Sequence, residues 1–277
     1  MGLRIATNIA SQSVQKNLKE VSNAGNSELE KLSSGKRITK AADDAAGLAI
    51  STNLEAQTKG LRQATRNAND GISLVQTAEG GLAETSNILV RLRELTIQAA
   101  SDTVGDTERG FLNKEFGELT KEVDRISEST TFNGAQLLNG KGKGTMDFQV
   151  GAFAGEQNKI QFDSGATDSS ASSIGVSGLS ITDKGDALDA ISNIDSAIEK
   201  VSGQRADLGS IQSRLTSTVK NLETQTINQD AARSVIQDVD VAEASASLAS
   251  NNVVKNAAVS TLSQANAIPM SAMRLIG

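Results

Sequence analysis

Two rows of apolar residues at seven-residue spacing limit the folds open to this chain more than any other feature. The first row consists of Leu54, Leu61, Ala68, Val75, Leu82 and Leu89, and the second of Ile194, Val201, Leu208, Leu215 and Leu222. Apolar residues at this spacing form the contact seam of packed helices. Because a segment of different composition separates the rows, we predict that the chain folds back on itself. The two helices would then pack side by side as antiparallel arms of a rod.

A parallel row of mostly small residues runs beside the first row and indicates a close-packed face. It consists of Ala64, Gly71, Ala78, Leu92 and Ala99, interrupted by Thr85. Small side chains at these positions would let another helix approach closely. Each glycine in a helix costs about 1 kcal/mol of stability relative to alanine. Packing must therefore offset the cost of Gly71, Gly80 and Gly81.

Composition favours an assembly or binding protein over an enzyme. Histidine and cysteine are absent, and the aromatic residues are six phenylalanines in 277 residues. The usual zinc, haem and iron–sulfur ligands and thiol nucleophiles are therefore missing. We predict no catalytic residue, no cofactor and no metal site. The net charge of -6 argues against nucleic acid as a partner, and no run approaches the roughly 18 apolar residues of a membrane span.

The remaining pattern divides the chain into helices around a short β region. We predict helices over 1–33, 44–101, about 112–126 and 186–230, with Asp43 or Asp44 capping the second. Alternating residues around Gly155 predict a β-hairpin near 145–163. The Ser-, Gly- and Ala-rich segment 164–180 is typical of a flexible loop.

The last segment, 241–277, combines low charge with low hydrophobicity. Its charged side chains are Glu243, Lys255 and Arg274. Such a helix is poorly suited to fold alone. We predict that it orders against a partner, either the N-terminal helix or copies from other molecules.

One group of charged residues on the second helix resists a simple interpretation. Arg91, Arg93 and Glu94 lie near Leu95, and residues three or four apart share a helix face. From these residues alone, the group is an exposed ion-paired face beside a buried leucine.

Short motifs spread along the chain resemble the signature of the bacterial flagellins. They read KLSSGKRI at 31–38, AADDAAGLAI at 41–50, RNANDGISL at 66–74, QTAEG at 76–80, REL at 93–95, TFNG at 131–134, RADLG at 205–209 and QAN at 264–266. The resemblance covers about 1–163 and 186–277, and Pro269 fits the end of the family pattern. It implies a mainly α fold, an elongated antiparallel helical bundle or coiled-coil rod with a small β-hairpin region and paired N- and C-terminal helices.

The resemblance also implies a division of labour between two domains. Residues 1–43 and 235–277 would be disordered in the monomer and pair as a terminal coiled coil, while 44–234 form the rod. Polymerisation residues on the terminal helices would be Val14, Leu18, Val21, Leu248, Val253, Leu262 and Ile268. The segment 164–180 lies where longer flagellins insert outer domains, so this would be a short form.

The implied function is a structural subunit that polymerises into the flagellar filament for swimming motility. The implied partners are copies of the chain, other flagellins, an export chaperone, and the filament cap and hook-junction proteins. Export would use the flagellar type III apparatus and place the protein in the extracellular filament. By motif, Arg91, Leu95 and Glu115 match the family's site for Toll-like receptor 5.

Two alternatives remain at this point, and a third is excluded. A hook–filament junction protein shares related ends, and extended self-polymerisation separates the two. A cytosolic coiled-coil scaffold would stay inside cells. A flagellin with a metallopeptidase insert is excluded, because the chain has no histidine for a His-Glu-x-x-His zinc site.

Overall fold

The protein is mainly α-helical, as predicted. The computed structural model describes the backbone of residues 7–142 and 144–276, and the side chains of those residues up to 267. The helices are α1 (Ile9–Ser34), α2 (Ala45–Ala99), α3 (Asp106–Ser129), α4 (Ala171–Ile174), α5 (Lys184–Gln237) and α6 (Val241–Ile276). The strands are β1 (Thr131–Phe132), β2 (Ala135–Gln136), β3 (Thr145–Gln149) and β4 (Lys159–Asp163). None of the helices in the described ranges combines the length and hydrophobicity needed to cross a bilayer.

The chain divides into two compact units. The terminal unit comprises Met1–Ala56 and Asn228–Gly277, and the core unit comprises Gln57–Ile227. The division falls inside α2 and inside α5, so the same two helices contribute to both units. The resemblance predicted different boundaries, at 43 and 235, between segments that are disordered in the monomer and the rod. Those boundaries describe folding in the monomer, so they stay a prediction.

The two heptad rows form the centre of the core unit. From Leu61 to Leu89 and from Ile194 to Leu222, every member is buried. Most of them belong to one continuous apolar cluster, in which each buried leucine contributes about 1.5–3 kcal/mol. Arg93 contacts Asp195 at 2.6 Å and Arg205 contacts Glu79 at 3.8 Å. Because the partner number falls as the number on α2 rises, α2 and α5 are antiparallel, as predicted.

The small-residue row is packed closely, but Gly71, its one glycine, does not face a helix, and neither does Gly81, which lies outside the row. A Cβ atom on Gly71 would lie 3.2 Å from the ring of Phe148, which belongs to β3. A Cβ atom on Gly81 would lie 2.6 Å from Leu138 Cδ1 and 2.7 Å from Thr130 Oγ1. The prediction of an approaching helix is therefore wrong at Gly71. The β region makes the close approach, because its bulky side chains need the space that glycine leaves.

The predicted β-hairpin is present. Strands β3 and β4 pair antiparallel from Thr145 opposite Asp163 to Gln149 opposite Lys159. Ile160 and Phe162 point into the core, being 5% and 0% exposed. A second, very short hairpin joins β1 and β2 through Asn133 and Gly134. Both turn residues have positive φ, 48° and 76°, as the two central residues of a type I′ hairpin turn require.

The segment 164–180 is packed into the core unit, so the prediction of a loose loop is wrong. Ala171, Ile174 and Val176 are buried in the main cluster. Distant helices satisfy its backbone: Asp124 accepts from the Ala171 N–H at 2.7 Å, and Gln204 donates to the Asp168 carbonyl at 2.9 Å. A few apolar residues thus suffice to anchor the segment, because side chains elsewhere complete its hydrogen bonds.

In the terminal unit, α1 and α6 pair antiparallel. Ser11 donates to the Asn266 side chain at 2.7 Å. At the other end of α1, Lys36 and Asp238 form an antiparallel bridge. The predicted pairing of the N- and C-terminal helices is therefore confirmed over the described residues.

Candidate functional site

The paired terminal helices carry most of the predicted polymerisation residues. Val14, Leu18 and Val21 on α1 are half-buried. On α6, Leu248 and Leu262 are half-buried, whereas Val253 is 69% exposed. The side chain of Ile268 lies outside the described residues. The α1–α6 seam therefore covers most of these side chains only in part.

Small residues set the closeness of this seam. Gly25 lies in the middle of α1, and α1 runs unbroken through it. A Cβ atom on Gly25 would lie 3.9 Å from Asn251 Cβ on α6, so the glycine faces the partner helix. Beside it, Val21, Leu29, Leu248 and Lys255 line a shallow groove.

The seam leaves unusual amounts of apolar side chain uncovered. Among the described residues of the terminal unit, the largest side chain that is fully buried is Ile38, at 1% exposure. Seven apolar side chains on or next to α1 and α6 are exposed by more than two fifths: Ile9, Leu29, Val235, Val241, Val253, Val254 and Val259. Contiguous exposed apolar side chains mark interaction sites, and six of these seven lie on the one pair of helices α1 and α6. The terminal unit can therefore bury further apolar area against other molecules.

The end of α1 and the start of α2 are fixed by specific hydrogen bonds. Gly35 caps α1 with a φ of 70°, and the side chain of Arg37 donates to the Ile236 carbonyl at 2.6 Å. Of the two predicted capping aspartates, Asp44 is the cap, since it accepts from the Gly47 N–H at 2.8 Å. Asp43 instead closes the turn before it.

Asp43 Oδ2 accepts from the N–H groups of Lys40 and Thr39, at 2.9 and 3.0 Å, and from the Thr39 hydroxyl at 3.0 Å. These donors, the Lys40 N–H foremost, hold the pKa of Asp43 below the ordinary aspartate value, because they stabilise the charged form.

The second candidate site is the Arg91 cluster, formed by Arg91, Glu94, Leu95 and Glu115 in the core unit. Arg91 Nη2 lies 2.8 Å from Glu115 Oε1, and its Nη1 lies 3.0 Å from Glu94 Oε2. These partners, Glu115 foremost, raise the pKa of Arg91. All three charged side chains are about half exposed, so their attraction is strongly screened.

Leu95 lies beneath this cluster and is 1% exposed. The structure thus brings Arg91 and Glu115 together at the surface and places Leu95 in the core. This is the exposed ion-paired face beside a buried leucine that the residues alone indicated. In this conformation Leu95 can support the surface but does not contribute to it directly.

Two further residues were missed by sequence reasoning. Arg109 is 8% exposed, and its guanidinium donates to the carbonyls of Ala99 and Ser101, so it caps the end of α2. Phe153, at the tip between β3 and β4, is 59% exposed. The scarcity of aromatic residues was a signal that this exposed ring merits attention.

In the described part of the chain, no three acidic side chains converge in a way that could hold a metal ion. The shifted pKa values belong to exposed groups in ion pairs or turns. The features that stand out are surfaces that can contact other macromolecules.

Comparison with known protein families gives two matches along the chain. Residues 5–143 match the bacterial flagellin N-terminal helical region, and residues 191–276 match the bacterial flagellin C-terminal helical region.

Individual proteins match over most of their length. A flagellin of Halalkalibacterium halodurans is 42% identical, with 97% of this chain and 98% of the relative covered. A flagellar filament 31.3 kDa core protein of Treponema maltophilum is 37% identical, with 90% of this chain and 91% of the relative covered. The crystal structure of Bacillus cereus flagellin is 30% identical, covering 61% of this chain and 94% of that one, with a TM-score of 0.51.

Proposed function

This chain belongs to the bacterial flagellin family and is a structural subunit of the flagellar filament, and we propose that its paired terminal helices drive assembly. Val14, Leu18, Val21, Leu248, Val253, Leu262 and Ile268 would supply the apolar contacts. One observation carries this proposal. Helices α1 and α6 bury few and small side chains between them, while several of their apolar residues are exposed.

The mechanism follows from the symmetry of the contacts. Contacts between unlike faces of identical subunits do not close on themselves, and they build an open helical polymer when the rotation does not close. Residues 1–43 and 235–277 are disordered in the monomer and fold when neighbours bury their exposed side chains. Free subunits therefore stay apart until a growing filament end offers partners.

Export precedes assembly in this proposal. The subunit leaves the cell through the flagellar type III apparatus and joins the extracellular filament. An export chaperone covers the C-terminal segment beforehand, which suits the exposed valines of α6. The absence of cysteine and the presence of one proline support refolding after transport, since disulfide exchange and prolyl isomerisation are slow steps.

Within the filament, further flagellar proteins take up the exposed ends. Cap and hook-junction proteins would contact the first and last subunits, and other flagellins would share the lattice. A hook-junction role for this chain is not favoured, because full-length relatives are flagellins and filament core proteins. A cytosolic scaffold would be recovered from cells and absent from sheared flagella.

Recognition by Toll-like receptor 5 is a second proposed role. Arg91 and Glu115 offer an exposed, paired donor and acceptor, and Leu95 holds α2 in place beneath them. Replacing Arg91 by Ala should reduce receptor signalling by monomeric protein. The matched control is Arg125→Ala, since Arg125 forms a similar exposed pair with Glu122 on α3. Equal signalling by both variants would show that the Arg91 cluster is not the site that the receptor recognises.

Deletion of 244–277 tests the assembly role. The truncated chain should keep most of the helicity of the core unit but form no filaments, as judged by circular dichroism and by electron microscopy of seeded protein. Filaments formed by the truncated chain would show that the terminal helices are not needed.

A further inference from the structure

We propose that the ring of Phe153 on one subunit inserts into a groove between α2 and α5 of a neighbouring subunit. We call this groove the Arg66 groove; it is lined by Arg62, Thr65, Arg66, Glu223, Thr226 and Ile227. Both features lie in the core unit. The inference rests on the proposed function, since it names one contact between copies of the chain in the polymer.

Phe153 is exposed to a degree that its chemistry disfavours. Of the six phenylalanines, Phe111 and Phe153 are exposed, at 64% and 59%. Phe111 already has a local partner, since the ammonium of Lys114 lies 5.8 Å from its ring centre. Aromatic side chains bury large areas at interfaces and are enriched among the residues that dominate binding.

The loop that carries Phe153 is held in one conformation. Gln149 Nε2 donates to the carbonyls of Gly151 and Phe153, at 3.0 and 2.9 Å. The Val150 N–H donates to the Asn158 carbonyl at 2.8 Å. Gly155 has a φ of 134°, which other residues rarely adopt. A ring on a fixed loop loses little conformational entropy on binding, so it is well suited to anchor a contact.

The Arg66 groove has the size and chemistry to receive this ring. It is open and has a volume of about 480 Å³. Ile227 stands 68% exposed at its side, and the buried cluster of Leu61, Ala64 and Leu222 lies in the same helices. Arg66 bonds to the neutral amide oxygen of Gln63. In that bond no carboxylate offsets the positive charge of the guanidinium. The guanidinium lies beside the groove, where it can stack on an aromatic face.

Charge is complementary across the proposed contact. The loop between β3 and β4 carries Glu156, whose side chain is 79% exposed. Its carboxylate lies 3.1 Å from the ammonium of Lys159, so its charge is partly offset within the hairpin. The groove carries Arg62 and Arg66 against Glu223. Insertion of Phe153 would bring Glu156 towards the arginines, and such complementarity fixes the register of a contact.

The ring and the groove lie on opposite sides of α2. Gly60 faces Ala152 and Gly71 faces Phe148, so the β-hairpin covers that side of α2. At 3.6 residues per turn, Arg62 is rotated by about 200° from Gly60, away from the hairpin. One chain cannot bring its own ring into its own groove. A row of chains can, each donating a ring and receiving one, which gives an open head-to-tail contact.

Crosslinking tests this contact directly, because the chain contains no cysteine. One batch of subunits carries Ala154→Cys, next to the ring, and a second carries Thr226→Cys. The two batches are copolymerised with unmodified chain and treated with a short bismaleimide. We expect a mixed dimer that forms in filaments and not in monomers. A control replaces the second batch by Leu188→Cys, a more exposed site on α5, and should give no mixed dimer.

Assembly measurements provide a second test. Phe153→Ala should raise the critical concentration for assembly about tenfold, whereas Phe111→Ala should change it less than about twofold. Arg66→Glu should also raise the critical concentration. Adding Glu156→Arg to the same chain should bring the critical concentration much of the way back to that of the unmodified chain.

Filaments that form without the mixed dimer, and with Phe153→Ala equal to Phe111→Ala, would overturn this contact and leave the proposed function intact. Failure of the unmodified chain to form filaments would overturn both.

Discussion

The core unit and the terminal unit are built from the same kinds of helix but differ in what they bury. In the core unit, α2 and α5 bury continuous rows of leucine, isoleucine and valine, and phenylalanines from α3 and β4 add bulk. In the terminal unit, α1 and α6 bury mainly serine and alanine, and the valines of α6 stay exposed. The difference teaches that helix formation and a stable interior are separate properties. We therefore expect the core unit to fold without neighbours and the terminal unit to need them.

The largest expected effect comes from removing a buried heptad residue of the core unit. Leu89 is 0% exposed, so Leu89→Ala should lower the free energy of unfolding of the monomer by about 2–5 kcal/mol. Leu29 on α1 is 57% exposed. Leu29→Ala should change monomer stability by less than about 0.5 kcal/mol while raising the critical concentration for assembly. Urea unfolding and sedimentation of filaments measure the two quantities. If Leu89→Ala and Leu29→Ala destabilised the monomer equally, the two units would not differ in what they bury.

A second prediction uses two adjacent glycines of α2 in the core unit. A methyl group on Gly81 would clash with Leu138 and Thr130, whereas nothing lies within 4 Å of a methyl group on Gly80. Gly81→Ala should therefore destabilise the monomer by about 1–3 kcal/mol. Gly80→Ala should stabilise it by up to about 1 kcal/mol, through helix propensity alone. Thermal unfolding of both variants measures the difference, and a stabilising Gly81→Ala would show that the β region does not pack as described.

A third prediction concerns pH. The hydrogen bond from Lys184 lowers the pKa of Asp102 in the core unit, and backbone N–H groups lower that of Asp43 in the terminal unit. A lowered pKa adds stability above the ordinary aspartate value of about 4, and this stability is lost as the pH falls through the lowered pKa. In the monomer, we expect a lowered pKa for Asp102 and an ordinary one for Asp43.

Nuclear magnetic resonance of the carboxyl carbons measures both values. In filaments the pKa of Asp43 should also be lowered, and Asp43→Asn should remove its share of the acid sensitivity of the filament. A lowered pKa for Asp43 in the monomer would show that the turn of Thr39–Asp43 is formed before assembly.

Sequence reasoning was most successful where a pattern repeats. The heptad rows predicted the antiparallel packing of α2 with α5, and alternation around Gly155 predicted β3 and β4. It was less successful at the ends of elements. Helix α3 begins at Asp106, before the predicted start near 112, and α5 continues to Gln237, past the predicted end at 230. Helix ends are harder to predict than helices, because tertiary contacts can extend a helix beyond its local pattern.

The segment 164–180 shows why the rest could not be predicted. Its composition is that of a flexible loop, yet Asp124 and Gln204 satisfy its backbone, each more than thirty positions along the chain from the residue that it contacts. Such contacts depend on tertiary packing and leave no local pattern. The Arg91 cluster is similar: motif and spacing singled out its residues, but only the fold shows that Arg91 and Glu115 are exposed while Leu95 is buried.

Hydrogen exchange in monomers and filaments tests the central claim most directly. Amides of α2, α3 and α5 within 57–227 should be protected from exchange in both states. Amides of α1 and α6 should exchange freely in the monomer and become protected in the filament, because neighbours complete the interior of the terminal unit. Protection of α1 and α6 in the monomer equal to that of the core unit would contradict the account.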